Sequence, residues 1–291
     1  MALGGLPSGN HLARLRVADR SFDGASFRNL TVRFADYSGC GFLRSHFDGA
    51  KVAHSRFTDC YFREADFTDA EFTNCVFVDC NFDYAVFVRT RLPHSQFQNC
   101  SMTFEQLRQC LALHDDNLRW EVARNLKVNA INRGMSDDAR SFLLVELRAS
   151  ERHNRLKGWP PAGSWQQRKY SDPVDRRAGR ARWAALVLGR LFWGHGESPL
   201  LVASFAGIAA LVFAALFYVL PGVFISNLST NGHPNVLDYV GFSVATLVSA
   251  TYGNALSSSQ LTRILATVEA ALGLMLLGFF VSALFRRVSR R

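Results

Sequence analysis

The sequence predicts a multi-domain chain: a β-solenoid, then short helices, then an all-α membrane unit with two spans. Three observations carry that prediction. Every fifth residue from Phe22 to Met102 is large and apolar. Residues 198–237 hold no formal charge, and 264–285 hold only one. Between them and the solenoid, residues 152–190 carry 10 basic side chains against 2 acidic.

Composition bounds the alternatives. The chain has 291 residues, 33 Lys+Arg against 24 Asp+Glu, a net charge of +9, 48% hydrophobic residues and 24 Phe. It is too apolar for a disordered tail and long enough for two or three modules. Residues 1–151 are balanced, with 18 basic and 19 acidic side chains, so the basicity is local and precedes the first apolar run. The opening MALGGLPSGNHLARLR contains no apolar run long enough for a signal peptide, so the N-terminal half is expected in the cytosol.

The large positions run Phe22, Phe27, Val32, Tyr37, Phe42 and onward through Phe97 to Met102, seventeen consecutive matches. Two residues before most of them stands a small residue, as at Ala25, Ala35, Cys40, Ser45 and Ala50. A helix repeats every 3.6 residues and a half-buried strand every two, so neither produces a period of five. The pattern requires a solenoid in which each unit forms one side of a coil and turns its large and small residues inward. It resembles the pentapeptide-repeat family. The resemblance implies a right-handed quadrilateral β-helix over residues 12–104, with four repeats per coil and a height of about 20 Å at the usual strand spacing.

Cys40, Cys60, Cys75, Cys80 and Cys100 all fall on the inward small position, which predicts core filling; only Cys110 lies outside the register. Metal ligands cluster without such periodicity, and the eight histidines show no ligand spacing, so they receive no role and no metal is expected. Some proteins of the resembled family mimic DNA with an acidic column. Residues 12–102 hold 11 basic and 11 acidic residues, so neither that role nor a nucleic-acid partner is expected.

After Met102 three helices are predicted at 103–113, 116–130 and 136–153, the last with Ser136 as N-cap and Asp137 and Asp138 in its first turn. With the region 105–157 they are expected to cap the open end of the solenoid, where strand edges and Phe rings would otherwise be exposed. An irregular linker follows at 158–172. Residues 173–197 read as a basic amphipathic helix lying on anionic lipid headgroups, with Arg176, Arg177, Arg180, Arg182 and Arg190 interleaved with apolar residues.

The membrane unit is expected over 198–291, with an outer helix at 199–220 and an inner helix at 262–286, each long enough to span roughly 30 Å of hydrocarbon. Residues 222–259 contain no Lys or Arg, whereas Arg286, Arg287, Arg290 and Arg291 follow the second span. The positive-inside rule then predicts a multi-pass protein of the cell inner membrane with both termini cytoplasmic. The apolar segment 239–253 reaches only about 22 Å as a helix, so it is expected to enter the membrane and return.

The stretch Asp238-Tyr239-Val240-Gly241-Phe242-Ser243-Val244-Ala245-Thr246-Leu247-Val248-Ser249-Ala250-Thr251-Tyr252-Gly253-Asn254 resembles the pore helix and filter of the two-transmembrane potassium-channel superfamily. That family's filter reads T-V-G-Y-G-D. Aligned on Tyr252 and Gly253, it places Ser249 at Thr, Ala250 at Val, Thr251 at the first Gly and Asn254 at Asp. The inner span is also similar, with Gly273 at the gating hinge. The resemblance implies a homotetramer whose backbone carbonyls replace the hydration shell of permeating monovalent cations, K+ or Na+, with no cofactor. Within the pore helix and its support, Asp238 is expected as N-cap and Thr246 as a helix position, and Glu269 either supports the pore helix or filter through a buried hydrogen bond or contributes directly to the ion path.

Thr251 sets the expected selectivity. The family geometry needs a left-handed backbone there, which a β-branched residue resists at a cost of roughly 1–2 kcal/mol per subunit. The filter is therefore expected to relax and to discriminate poorly between potassium and sodium, while Asn254 removes a negative charge from the outer mouth. The rival reading is a non-conducting, membrane-anchored scaffold whose solenoid binds a cytosolic protein partner. No nucleophile–base pair, Gly-rich phosphate loop or metal constellation stands out along the sequence, so no enzyme activity is expected.

Overall fold

A computed structural model describes residues 11–113, 115–194, 198–220, 223–226, 235–249, 254–257 and 259–288. The chain divides into two compact units, Met1–Trp183 and Ala184–Arg291.

The first unit opens with the solenoid. Strands β1 (His11–Ala13), β3 (Thr31–Arg33), β5 (Lys51–Ala53) and β7 (Glu71–Thr73) form one parallel sheet. Strands β2 (Arg16–Ala18), β4 (Asp36–Ser38), β6 (Arg56–Thr58), β8 (Val76–Val78) and β9 (Gln96–Gln98) form the second. Isolated bridges such as Ser21↔Gly41 and Ser26↔His46 complete the remaining sides. Every pairing joins residues 20 apart, as in Val32↔Val52 and Tyr37↔Phe57. Four five-residue repeats therefore close one coil.

This register stacks the large residues into columns of rings. Tyr37, Phe57, Phe77 and Phe97 lie 5.1, 4.9 and 5.0 Å apart, within 7° of parallel. Neighbours around a coil meet edge to face, as with Phe57 and Phe62 at 71°. Both geometries suit the ring quadrupole. The small position has a second task besides filling space. Cys60 Sγ donates to the Tyr37 carbonyl oxygen at 3.6 Å, Cys80 Sγ to that of Phe57 at 3.4 Å, and Ser95 Oγ to that of Phe72 at 2.8 Å.

Each repeat also contains a residue with positive φ, two after the large one, from Arg14 (54°) and Asp19 (52°) to His94 (56°) and Asn99 (54°). Where the corner closes as a turn, the amide three residues on bonds back, as Ala50 N–H does to the Phe47 oxygen at 2.9 Å around left-handed Gly49. A left-handed third residue is what a type II turn requires.

Helices α1 (Phe104–Leu113), α2 (Asp116–Asn132) and α3 (Ser136–Gly158) follow. They continue the apolar core, contributing Leu107, Leu111, Val122, Leu126 and Phe142. Cys110, outside the five-residue series, nevertheless donates its thiol to the Phe87 oxygen at 3.3 Å, so α1 continues the column's inner pattern. α2 closes the last coil with amide side chains: Asn125 Oδ1 accepts from Phe97 N–H at 2.7 Å, while Asn129 accepts from Cys100 N–H at 2.7 Å and donates to its carbonyl at 2.9 Å. These bonds satisfy groups that another coil would otherwise pair.

Two local expectations change here. The N-cap of α3 is Met135 and Ser136 is the first helical residue, because the chain leaves the preceding turn at Gly134 with φ 72° and enters the helix one residue early. The linker is not wholly irregular: Ser164 Oγ accepts from Gln167 N–H and starts the short α4 (Trp165–Lys169). α5 (Pro173–Trp193) then begins where Asp172 accepts from Val174 N–H at 2.8 Å. Near its start Lys157 pairs with Asp175 at 2.7 Å, and Arg180 donates to the Gly158 oxygen at 3.1 Å.

The second unit contains α6 (Pro199–Val219), α7 (Val236–Leu247) and α8 (Gln260–Val288), with strands β10 (Val223–Ser226) and β11 (Asn254–Ser257) paired antiparallel. α6 and residues 260–285 of α8 reach mean hydropathies of 2.6 and 2.2 over an 18-residue window, long and apolar enough to cross a membrane. α7 is apolar but only 12 residues long.

Candidate functional site in the membrane unit

The short helix α7 packs against both α6 and α8. The rings of Phe242 and Phe217 of α6 meet edge to face with centroids 5.1 Å apart, and Leu265 and Ala266 of α8 pack alongside. Tyr239 meets Tyr218 in the same way at 5.6 Å.

One polar cluster crosses this interface. Ser243 and Glu269 are both fully buried. Ser243 Oγ lies 2.8 Å from the Ala210 carbonyl oxygen of α6 and is hydrogen-bonded to Glu269 Oε1 of α8. All three helices are tied through one hydroxyl. That hydroxyl has a single proton for two acceptors, so the cluster is complete when the Glu269 carboxyl supplies a proton of its own. Glu269 Oε2 has no hydrogen-bond partner among the described residues.

Gly273, one turn further along α8, marks a close approach rather than open space. A Cβ built there would overlap the Leu247 carbonyl oxygen at the end of α7, and something would have to shift. The α7 terminus is set in the same few residues. Thr246 Oγ1 donates to the Phe242 oxygen at 2.8 Å, and Ser249 turns left-handed at φ 58° while its N–H reaches the Thr246 oxygen at 2.9 Å. A left-handed residue just past the last turn is a common way to end a helix.

The start of α7 corrects one sequence expectation. Its N-cap is Asn235, not Asp238, because the helix begins earlier at Val236. Asp238 sits at the third helical position and reaches back, accepting from Asn235 N–H at 2.7 Å. It still places negative charge in the first turn, where the helix dipole favours it.

Of the expected filter, Ser249 follows α7, Asn254 opens β11 opposite Ser226, and Ala250, Thr251, Tyr252 and Gly253 lie outside the described residues. Sequence reasoning missed Ser243, Ala210 and Leu247. Only Ser243 leaves a trace, as a small polar residue inside an apolar helix; the other two act through backbone oxygens, which no side-chain pattern reveals.

A stacked solenoid and a unit of two span-length helices enclosing a short apolar helix define a two-part membrane protein. Residues 50–112 match the family model for the pentapeptide repeat region, and residues 206–290 match the model for an ion channel. The chain thus joins a pentapeptide-repeat solenoid to a potassium-channel-like ion-channel domain. No curated relative matches the sequence.

Solved structures similar to the first part include QnrB1, a plasmid-mediated fluoroquinolone resistance protein, at 19% identity over 32% of this chain and 62% of that one, with a TM-score of 0.24. A pentapeptide repeat protein from the Arabidopsis thaliana thylakoid lumen shares 16% over 39% of this chain and 88% of that one, with a TM-score of 0.22. HetL, a pentapeptide repeat protein involved in heterocyst differentiation regulation from Nostoc sp. strain PCC 7120, shares 10% over 32% of this chain and 75% of that one, with a TM-score of 0.12. The chain spans under two thirds of the QnrB1 structure, and the solenoid assignment rests on the 20-residue register and the family model.

Proposed function

We propose that the chain is the subunit of a homotetrameric cation channel in the inner membrane, with both termini cytoplasmic and the solenoid serving assembly or regulation. The observation that carries this reading is α7, a short apolar helix held between two span-length helices in a region matching an ion-channel family. One copy cannot enclose a central axis, so closed fourfold symmetry is the natural assembly. In this reading α7 is the pore helix, Ser249, Ala250, Thr251, Tyr252, Gly253 and Asn254 form the filter, and Glu269 supports it from behind. Gly273 permits the close approach of the inner helix and is the candidate hinge.

Thr251 makes the pore weakly selective among monovalent cations, for the conformational reason given by its position in the filter. Bi-ionic reversal potentials of purified protein in liposomes test this, for the unmodified chain and for Thr251→Gly. Strong potassium selectivity in the unmodified chain would refute the strain argument. Absence of any flux from a tetramer would favour the second reading, a non-conducting scaffold, which the departure of Ser249-Ala250-Thr251 from T-V-G keeps in view.

A further inference from the structure

On the solenoid surface, the 20-residue register brings together side chains that are far apart in sequence. His46 and Asp66 are bridge partners on adjacent coils, and Asp48 lies two residues beyond His46 on the same face. One ligand atom from each of the three falls within 4.8 Å of the others. The neighbouring coils place Ser26 and Val86 on the same ladder, so the set is bounded on both sides by residues of different chemistry.

The local hydrogen bonding is incomplete in a particular way. His46 Nδ1 is buried and has no hydrogen-bond partner among the described residues. Its nearest carboxylate oxygen, Asp48 Oδ2, is 3.9 Å away, too far for a hydrogen bond. The two carboxylates are otherwise well held. Asp48 accepts from Arg28 Nε at 2.8 Å, and Asp66 accepts from Thr68 N–H at 2.9 Å and Thr68 Oγ1 at 2.6 Å. Two carboxyl groups and a ring nitrogen without a hydrogen-bond partner therefore lie close enough together for one cation to bridge them.

We propose that His46, Asp48 and Asp66 form a binding site for a divalent transition-metal ion of the size and donor preference of zinc. One imidazole and two carboxylates are a nitrogen–oxygen donor set that such ions accept, and three protein ligands leave positions open to water. Ligand atoms around a tetrahedral ion at about 2.1 Å lie roughly 3.4 Å apart, so closing the site needs only small side-chain rotations. The His46 side chain as a whole is 43% exposed, which places the site at the solenoid surface. The thiols are a separate matter: the six cysteines are buried inside the column as free thiols.

The test is a cobalt(II) titration of the full-length, untagged, chelator-stripped protein in detergent, followed by visible absorption and by displacement with zinc. One equivalent with a nitrogen–oxygen spectrum is expected, released by zinc. His46→Ala and Asp66→Asn should each weaken binding at least about tenfold, the scale on which even orienting partners affect a metal site. His54→Ala, on a different ladder, should leave binding unchanged. Circular dichroism of the metal-free variants verifies that each is folded, and Asp66→Asn retains an acceptor for Thr68 if His46→Ala is not. No binding, a thiolate-to-cobalt charge-transfer band, or binding that survives both ligand substitutions would overturn the assignment.

Discussion

The two units treat their large apolar residues in opposite ways. In the solenoid, Phe42, Phe57, Phe62, Phe67, Phe72, Phe77 and Phe82 are each under 2% exposed, buried entirely by coils of the same chain. In the membrane unit, Leu200 at 73%, Val219 at 75%, Leu237 at 80% and Phe285 at 70% exposure find no cover within one copy. Only 28% and 17% of the most apolar windows of α6 and α8 are buried. The first unit completes its own core through repetition. The second needs lipid and, in the proposed channel, further copies of itself. Substitutions in the first should therefore be read in stability, and those in the second in assembly and flux.

The largest effect is expected from Phe67→Ala or Phe72→Ala, which removes a ring stacked within the column. Each should destabilise the solenoid by about 3–5 kcal/mol, measured by denaturant titration or hydrogen exchange of solenoid amides. A loss below about 1 kcal/mol would show that the column is less tightly packed than its ring spacings imply. Gly273→Ala comes next, because its methyl group must displace the α7 terminus. A cost of about 1–3 kcal/mol is expected, visible in the proposed channel as a loss of tetramer in native mass spectrometry and of liposome flux. Normal assembly and flux would show that the two helices separate freely.

Asn129→Ala should cost about 1–3 kcal/mol by leaving the Cys100 amide and carbonyl unpaired at the solenoid end. Hydrogen exchange should accelerate first at Cys100 and then toward Phe97. Unchanged protection there would mean that α2 is not what seals the column. In the membrane unit, Glu269→Ala removes the tie from α8 to Ser243, while Glu269→Gln keeps an amide able to donate to it. Flux should fall in the alanine variant, with roughly 1–3 kcal/mol lost from the helix packing, and persist in the glutamine variant. Equal loss in both would require an ionised carboxylate there.

The smallest effect is expected from replacing Cys60, Cys75 and Cys80 by Ala, under about 1 kcal/mol for each single change, since Ala already fills the same inward position in other repeats. Burial pushes the Cys75 thiol from 9.0 up to about 12 and the Cys110 thiol up to about 11. The folded state thus holds these protons more tightly than the unfolded chain. Their contribution to stability is complete below about pH 9 and is lost as pH rises through 11 to 12. Alkylating reagents at neutral pH should label neither thiol until the column unfolds; rapid labelling of the native protein would place them nearer the surface.

The solenoid was legible because its physics is local and repeated. A Phe every five residues, with Ala, Ser or Cys two positions earlier, admits few structures, and the observed 20-residue offset multiplies that unit by four. One position in the repeat was overlooked, although Asp19, Gly24, Asn29, Gly39, Gly49, Asp59, Asp69 and Asn74 mark it: all are left-handed, and these residue types tolerate that conformation. The membrane site was legible in outline only. Its spans follow from hydropathy, and Glu269 is conspicuous as a lone carboxyl in an apolar run. Ser243 is not.

By itself, the sequence determined the repeat, its inward residues, the lengths of the two spans and the shortness of the helix between them, because each follows from periodicity or apolar length along one strand of chain. Tertiary structure alone decided that Cys110 continues the column from a helix, that Asn125 and Asn129 seal its edge, and that Ser243 meets Ala210 and Glu269. It also decided that Gly273 lies against Leu247 and that His46 faces Asp66. These contacts join residues from 20 to 33 positions apart, often through backbone atoms common to every residue type, so only the folded geometry can select them.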